Sequence, residues 1–180
     1  IIGCIDAYRA TQENRFLERA LACGRHIVTR LLSQDFSLKR NYKNGAVSIQ
    51  GFLDDYAFTC KAFFALYEVT LDESWLFKTE GILNYVIQHF YNLEIGLFFF
   101  TSVQDEELIA RKTETQDNVI PSSNAVLCEV LLKTGYLLYQ EDFIEKAHRA
   151  IRLLLPKAAQ YPSHYAQWAT LSFWIEKEPY

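Results

Sequence analysis

Polar side chains able to carry acid–base chemistry occur at the start of three apolar helical patterns. The first pattern opens with the carboxylates Asp54 and Asp55, and the third opens with His164. The second opens with Ser123 and Asn124, whose polar groups can hydrogen-bond a ligand. Imidazole and carboxyl groups are the side chains that most often act as general base and general acid. We therefore predict His164, Asp54 and Asp55 as catalytic residues.

These groups also have a purely structural interpretation. Asp54 and Asp55 would each favour the positive end of their helix. Adjacent helical positions diverge by about 100°, so the two carboxylates do not form a face-to-face acid–base pair. Ser122 and Ser123 are typical N-cap residues, and Asn124 could share that role. At this point both interpretations stay open.

Aromatic and basic side chains near the same helix starts are predicted to bind the substrate. Tyr56, Tyr165 and Trp168 could each stack on an apolar sugar face, with core packing as the alternative. Arg111 follows a predicted β-hairpin and could either reach over the site or be a solvated loop charge. The complete predicted substrate-binding set is Tyr56, Ser123, Asn124, Arg111, Tyr165 and Trp168.

A sequence repeat indicates the elements that position these groups. Segments 7–20, 66–79 and 135–147 each carry a tyrosine, a short polar turn and then a pair of large apolar residues. The tyrosines Tyr8, Tyr67 and Tyr136 precede the apolar pair by 8, 8 and 7 positions. Such a repeat is typical of stacked supersecondary units.

The repeat predicts alternating outer and inner helices. The outer helices follow the apolar pairs and show a single apolar stripe, whereas the inner helices, near 52–69 and 124–139 and from 163 onward, are apolar on most sides. Short turns make each helix pair antiparallel. The predicted fold is all-α, with roughly three and a half αα-hairpins over 1–180. One small β-hairpin is predicted near 96–112, from strands within 96–102 and 108–112.

If the hairpins stack in one direction, all inner helices begin at the same end of the molecule. Counting back 12 residues from the repeat tyrosines sets Asp55 opposite Asn124 and Asp54 opposite Ser123. Long connections reach the same end, and connections on a rigid scaffold are where binding groups usually collect. We therefore expect the predicted site residues to line one mouth.

Composition argues against several classes of function. The net charge is −4 and neither sign forms a long block, so neither nucleic acid nor a membrane is an expected partner. Four cysteines lie in apolar patterns without CxxC spacing, which predicts buried thiols in a reducing, cytoplasmic setting and no metal site. No cofactor is predicted. The histidines on the outer helices, His26, His89 and His148, are expected to have no site role.

Three segments together carry a family resemblance, namely 51–58 (GFLDDYAF), 96–102 (GLFFFTS) and 117–126 (DNVIPSSNAV). In this order they resemble the helical part of the thioredoxin-domain-containing proteins related to spermatogenesis-associated protein 20. The resemblance implies part of an (α/α)6 toroid, similar to N-acylglucosamine 2-epimerase and other six-hairpin carbohydrate enzymes. It also implies a thioredoxin-like domain in the full-length protein. A partial toroid would expose apolar edges, so self-association is expected.

The expected function is therefore that of a carbohydrate-active toroid with a sugar ligand. Sugar epimerisation or isomerisation is the first hypothesis, and it needs a base and an acid on opposite sides of a sugar carbon. A non-catalytic glycan- or protein-binding module is the alternative. Glycoside hydrolysis is the third hypothesis, because it needs two carboxylates about 5–10 Å apart across the sugar. Whether the protein is an enzyme stays open at this stage.

Overall fold

The computed structural model describes residues 1–103 and 111–176. Within these ranges the helices are α1 (Ile2–Thr11), α2 (Asn14–Arg30), α3 (Leu53–Thr70), α4 (Glu73–Phe90), α5 (Ser123–Leu138), α6 (Glu141–Gln160) and α7 (Ala166–Glu176). A 3₁₀ turn, Pro162–His164, precedes α7. The strands are β1 (Lys39–Lys43), β2 (Ala46–Gln50), β3 (Tyr91–Asn92) and β4 (Leu97–Phe98). The predicted all-α fold built from helical hairpins is confirmed.

The chain forms two compact units, Ile1–Tyr85 and the residues from Val86 onward, and the division falls inside α4. In the first unit, α1 packs against both α2 and α3. In the second unit, α5 packs against α6 and α7. The predicted inner helix α5 is buried at nearly every position from Ser123 to Gly135, whereas α2 buries only Ala20 and Gly24. A helix that is apolar on most sides is thus enclosed, and one with a single apolar stripe lies outside.

The hairpin turns repeat one backbone geometry. The first helix of each αα-hairpin (α1, α3 and α5) is followed by a residue in the left-handed conformation. These residues are Gln12 (φ 58°), Leu71 (φ 56°) and Tyr139 (φ 56°). Their backbone N–H groups donate to the carbonyls of Tyr8, Tyr67 and Gly135. The structural equivalent of Tyr8 and Tyr67 is therefore Gly135, and the alignment of Tyr136 with them is wrong by one residue.

Gly135 stands at this position because the facing helix comes close. A Cβ there would lie 2.7 Å from Cγ1 of Ile144 and 3.2 Å from the backbone oxygen of Gln140. Only a residue without a side chain fits this approach, so the tyrosine occupies the next position. The corrected register moves the counterpart of Asp55 from Asn124 to Ser123, and all three remain in the first turns of their helices.

A β-hairpin that the sequence analysis missed precedes α3. Strands β1 and β2 pair antiparallel around Asn44 and Gly45, which both have positive φ (52° and 82°). An Asn-Gly pair with this geometry is the preferred two-residue hairpin turn. From the sequence, no strand was predicted in this segment.

The predicted β-hairpin near 96–112 is confirmed in part. Strand β4 lies inside the predicted segment 96–102, but its partner is β3, which precedes it. Phe100 N–H donates to the Lys112 carbonyl (2.8 Å), so the two predicted strand segments do approach each other. Residues 108–110 of the second predicted strand lie outside the described residues.

Candidate functional site

Asn124, in the first turn of α5, is fully buried and ties β4 to the loop that precedes α5. Its Nδ2 donates to the carbonyls of Phe98 (3.0 Å) and Glu114 (2.9 Å), and its Oδ1 accepts from the Phe98 N–H (2.8 Å). Its neighbour Ser123 is also buried and donates its hydroxyl to the Glu114 carboxylate (2.9 Å). Both predicted substrate-binding side chains are thus hydrogen-bonded within the protein.

Asp117 in the same loop joins the start of α5 to the start of α7. Its Oδ1 accepts from the Ser122 N–H and its Oδ2 from the Gln167 N–H, each at 2.8 Å. Its own N–H donates to the carbonyl of His164 (2.8 Å). A carboxylate that accepts backbone N–H bonds at two helix starts compensates the positive ends of both. Asp117 therefore fixes the backbone on which His164 stands.

His164 itself is exposed, and its Nδ1 lies 3.1 Å from the Ser163 hydroxyl. The aromatic residues that follow it are covered by protein, since Tyr165 and Trp168 are 3% and 1% exposed. Trp168 Nε1 donates to the Thr115 carbonyl (2.8 Å), so the indole holds the same loop that Asn124 holds. Neither ring presents a stacking face to solvent.

Arg111 lies over the Phe99 ring, with its guanidinium carbon 4.1 Å from the ring centroid. It also donates to the Thr101 carbonyl. Arg111 thus packs on the segment after β4 in the second unit.

A groove of about 1240 Å³ opens on the first unit. The start of α1, one face of α2 and the first half of α3 line it. Its polar residues are Arg15, Glu18, Arg19, Cys23, His26, Asp54, Asp55 and Thr59. The groove therefore contains two of the predicted catalytic residues, Asp54 and Asp55, both of them half-buried.

Arg40, supplied by β1, pairs with both carboxylates. One guanidinium nitrogen lies 3.5 Å from Asp54 Oδ1 and 3.2 Å from Asp55 Oδ2. The guanidinium also lies 5.1 Å from the Phe52 ring centroid. Sequence reasoning missed Arg40 because it missed the hairpin, although the Asn44-Gly45 turn was a usable signal. The shared arginine keeps the two carboxylates on one side of the groove.

Asp55 has a raised pKa. Burial is the largest cause because it removes water from the charged form, and the charge of Asp54 acts in the same direction. The Phe52 N–H, which donates to Asp55 Oδ2 at 2.9 Å, and the positive charge of Arg40 lower the pKa but do not offset these effects. Asp55 is therefore a better proton donor near neutral pH than an ordinary aspartate.

His26 lines the groove from α2, whereas Asp54 and Asp55 line it from α3. Its exposed ring makes an edge contact with the Tyr42 ring (centroids 5.2 Å apart). The sequence analysis gave His26 no site role. Spacing could have found it, because Arg19, Cys23 and His26 follow one another at intervals of four and three residues and so share one helix face.

Tyr56, the remaining predicted binding residue, is 2% exposed. Its hydroxyl accepts a hydrogen bond from the Leu38 N–H (2.9 Å), and its ring stacks on Tyr85 (centroids 5.5 Å apart). Tyr56 thus packs in the core of the first unit behind the groove. That the helix starts of the two units open on one mouth stays a prediction.

The cysteines do not share one environment. Cys60 and Cys128 are buried, and burial raises the pKa of both thiols. Cys4 is half-buried and Cys23 is exposed, so the prediction that all four are buried is wrong for these two.

Across 1–103 and 111–176, no group of three or more His, Cys, Asp and Glu side chains is arranged to hold a metal ion. In the same ranges, no helix combines the length and the apolar character that crossing a bilayer requires.

Comparison with known sequences supports the family resemblance. The chain is 30% identical over 160 residues to Uncharacterized protein B0495.5 of Caenorhabditis elegans. This alignment covers 84% of this chain and 22% of that protein. It is 30% and 29% identical over 97 residues to spermatogenesis-associated protein 20 of Rattus norvegicus and Mus musculus. Those alignments cover 53% of this chain and 12% of each relative, so the chain spans less than a quarter of the relatives' length. No family model matches the chain. The resemblance is confirmed as a partial homology to spermatogenesis-associated protein 20.

Comparison with solved structures establishes the fold. The chain is similar to the GH76 α-mannanase BT2949 of Bacteroides thetaiotaomicron, with a TM-score of 0.67, 19% identity, and coverage of 87% of this chain and 42% of that one. It is also similar to a D-mannose isomerase, with a TM-score of 0.66, 17% identity, and coverage of 88% and 39%. Both neighbours are α/α toroids, and the αα-hairpins of this chain form part of an (α/α)6 toroid.

Proposed function

We propose that this protein is a carbohydrate-active toroid in which the groove of the first unit binds a sugar and transfers protons on it, as a sugar isomerase or epimerase does. One observation carries the proposal: Asp55 and His26 line a single groove from two different helices. A groove of about 1240 Å³ is large enough for a sugar. The names of the two structural neighbours, an α-mannanase and a D-mannose isomerase, refer to action on mannan and mannose.

The chemistry follows from these two groups. A base removes the proton from the carbon next to the sugar carbonyl, while an acid donates a proton to the carbonyl oxygen, and an enediol forms. Return of a proton to the opposite face of the same carbon gives an epimer, and return to the neighbouring carbon gives the isomer. His26 supplies the base, and Asp55, whose pKa is raised by burial, supplies the acid. In isomerisation, the protonated imidazole or solvent exchanged with it returns the proton to the neighbouring carbon on the same face. In epimerisation, a water molecule delivers the proton from the opposite face. In both cases the Asp55 carboxylate takes the O–H proton of the enediol as the carbonyl re-forms.

The catalytic assignment differs from the sequence prediction in one residue. His164 lies in the second unit beside the loop that Asp117 and Trp168 hold, whereas His26 lies in the same groove as Asp55. Both histidines therefore enter the test, and they predict different outcomes.

A non-catalytic binding module is the second candidate. It is favoured by the hydrogen bonds of Ser123, Asn124 and Trp168, since these side chains serve the loop before α5 rather than an open site. Glycoside hydrolysis is weaker. Its two carboxylates must flank the scissile bond, but Asp54 and Asp55 are held on one side by Arg40.

Solvent deuterium incorporation tests the proposal directly. The full-length protein is incubated in deuterated water with N-acylhexosamines, mannose, glucose and cellobiose, and the sugars are examined by mass spectrometry. We expect deuterium at the carbon next to the carbonyl of at least one sugar. Asp55→Asn and His26→Gln should each lower the rate at least about a hundredfold, the low end for a proton-transfer group. Asp6→Asn, a change at an exposed carboxylate on α1, should leave it unchanged.

The outcomes separate the candidates. Folded protein that incorporates no deuterium into any sugar refutes isomerisation and epimerisation, and sugar binding without exchange then favours the binding module. Loss of exchange in His164→Gln together with normal exchange in His26→Gln would move the base to the second unit. Release of glucose from cellobiose would instead support hydrolysis.

A further inference from the structure

We propose that the sugar bound in the first-unit groove carries an anionic group, and that Arg19 binds this group. The inference rests on the proposed function, because it names the substrate class of the same groove. It is carried by the ion pairs of the lining residues, which leave Arg19 without a partner in the part of the chain that the structure describes.

The carboxylates on the acidic side of the groove have an arginine partner. Asp54 and Asp55 both pair with Arg40, so two carboxylates share one guanidinium on the α3 side. On the α2 side, Arg15 pairs with Glu13 at 2.7 Å and lies over the Phe16 ring. These charges have partners within the first unit.

Arg19 differs from these arginines. It lines the groove one helical turn from Arg15, its side chain is exposed, and within 1–103 and 111–176 it has no ion-pair, hydrogen-bond or ring partner. Glu18 also lines the groove, but adjacent helical positions diverge by about 100°, and no ion pair joins it to Arg19. An unpaired guanidinium favours a phosphate or carboxylate, which it can bind with two parallel hydrogen bonds.

The position of Arg19 sets where the anionic group lies on the sugar. Arg19 and His26 are seven residues apart on α2, or about 10 Å along the helix axis. The Asp54 carboxylate repels an anion from the reacting end, between His26 and Asp55. The sugar is therefore oriented with its carbonyl end at His26 and its anionic end toward Arg19. A sugar phosphate or a uronic acid with its charge far from the carbonyl meets this requirement.

Cys23 provides a reporter of occupancy that does not need turnover. It is exposed and lies between Arg19 and His26 on the same groove-lining face of α2. A sugar that spans these two residues covers the thiol and slows its alkylation. Cys4, which is half-buried and outside the lining of the groove, is the internal reference.

The experiment measures iodoacetamide labelling of Cys23 in the full-length protein by mass spectrometry, with increasing glucose, glucose 6-phosphate, glucuronate or inorganic phosphate. We expect the phosphate ester, the uronate or both to halve the rate at a concentration at least about tenfold below that of glucose. Arg19→Gln should abolish this preference. Arg25→Gln, which removes an exposed arginine from the same helix outside the groove lining, should keep it. The phosphate ester and uronate arms distinguish the two sources of the charge.

Several results would overturn the inference. Equal protection by glucose and by the charged sugars shows that the groove does not select for an anion. Equal protection by inorganic phosphate and glucose 6-phosphate shows a general anion site, and an equal effect of both arginine substitutions shows nonspecific attraction. Absence of protection by every sugar also refutes it. Selective protection in a protein that incorporates no deuterium keeps this inference and refutes the catalytic proposal, whereas deuterium exchange without selectivity does the reverse.

Discussion

Replacing Asn124 by alanine should destabilise the second unit by about 3–5 kcal/mol. The substitution removes three hydrogen bonds, two buried ones to Phe98 and a partly buried one to the Glu114 carbonyl. A net contribution of about 1 kcal/mol for each gives about 3 kcal/mol, and about 2 kcal/mol for the orphaned Phe98 N–H, the middle of the usual range of about 1–3 kcal/mol, sets the upper end. That loss is a large part of the free energy of unfolding of a typical domain, about 5–15 kcal/mol.

Hydrogen exchange at the Phe98 amide measures this effect locally, so the assay does not depend on how the full-length protein unfolds. About 3 kcal/mol corresponds to a rise of roughly a hundredfold in the exchange rate of this amide. Asn118→Ala is the matched control, because Asn118 is exposed on the same loop and its hydrogen bond to Ile120 uses its backbone N–H. The control should change stability by less than about 0.5 kcal/mol.

Asn124→Asp separates a fold role from a ligand role. The carboxylate keeps an acceptor for the Phe98 N–H but faces two carbonyls without a donor, so it should be at least as destabilising as alanine. If Asn124→Ala left the Phe98 exchange rate unchanged and abolished sugar binding, Asn124 would be a ligand contact. The structural argument for its hydrogen bonds would then fail.

Three further measurements test the packing, the electrostatics and the thiols. Gly24→Ala should cost about 1–3 kcal/mol, since a Cβ would lie 2.7 Å from Leu66 Cδ1 and 2.8 Å from Trp75 Cη2. Gly3→Ala, with open space around its Cβ, should be neutral or stabilising, and equal melting temperatures for the two variants would contradict the packing argument. Asp72 accepts from the Ser74 N–H at 2.9 Å, which lowers its pKa below the ordinary 3.8. Its stabilisation is therefore present above that value and lost as pH falls through the folded pKa, so Asp72→Ala should melt lower than wild type at about pH 7, and the difference should shrink as pH falls below 3.8. Iodoacetamide should label Cys23 and spare Cys60 and Cys128, whose burial raises their pKa; mass spectrometry that finds Cys60 labelled as fast as Cys23 would refute the assigned burial.

The helices could be predicted from the sequence because their signal is local. The inner helix predicted near 52–69 is Leu53–Thr70, and the one near 124–139 is Ser123–Leu138. Apolar periodicity and turn residues report directly on these elements. The one-residue error at Tyr136 arose because the equivalent position, Gly135, is set by contact with Ile144 on the facing helix, which no local pattern encodes.

The first-unit groove could not be predicted because it depends on the β1–β2 hairpin and on one face of α2, and neither segment indicates a binding site by its own sequence pattern. Arg40 reaches Asp54 and Asp55 only because β1 and β2 pair before α3. His26 lies on a helix that buries little, so a surface assignment agreed with its pattern. The groove appears once α2 and α3 are placed in one unit.

The polar residues at the start of α5 show why helix starts mislead a search for sites. The first N–H groups of a helix and the carbonyls of the loop before it need hydrogen-bond partners whether or not a ligand is present. Ser, Asn and Asp meet that need, and the same residue types bind sugars, so composition at a helix start cannot separate the two roles. Burial separates them. Asn124 is fully buried with three internal hydrogen bonds, whereas Asp55 keeps a partly exposed carboxylate on an open groove. A residue at a helix start is therefore a site candidate when its polar group remains exposed to solvent even though the nearby backbone groups have their hydrogen bonds. Asp55 meets this criterion, and Asn124 does not.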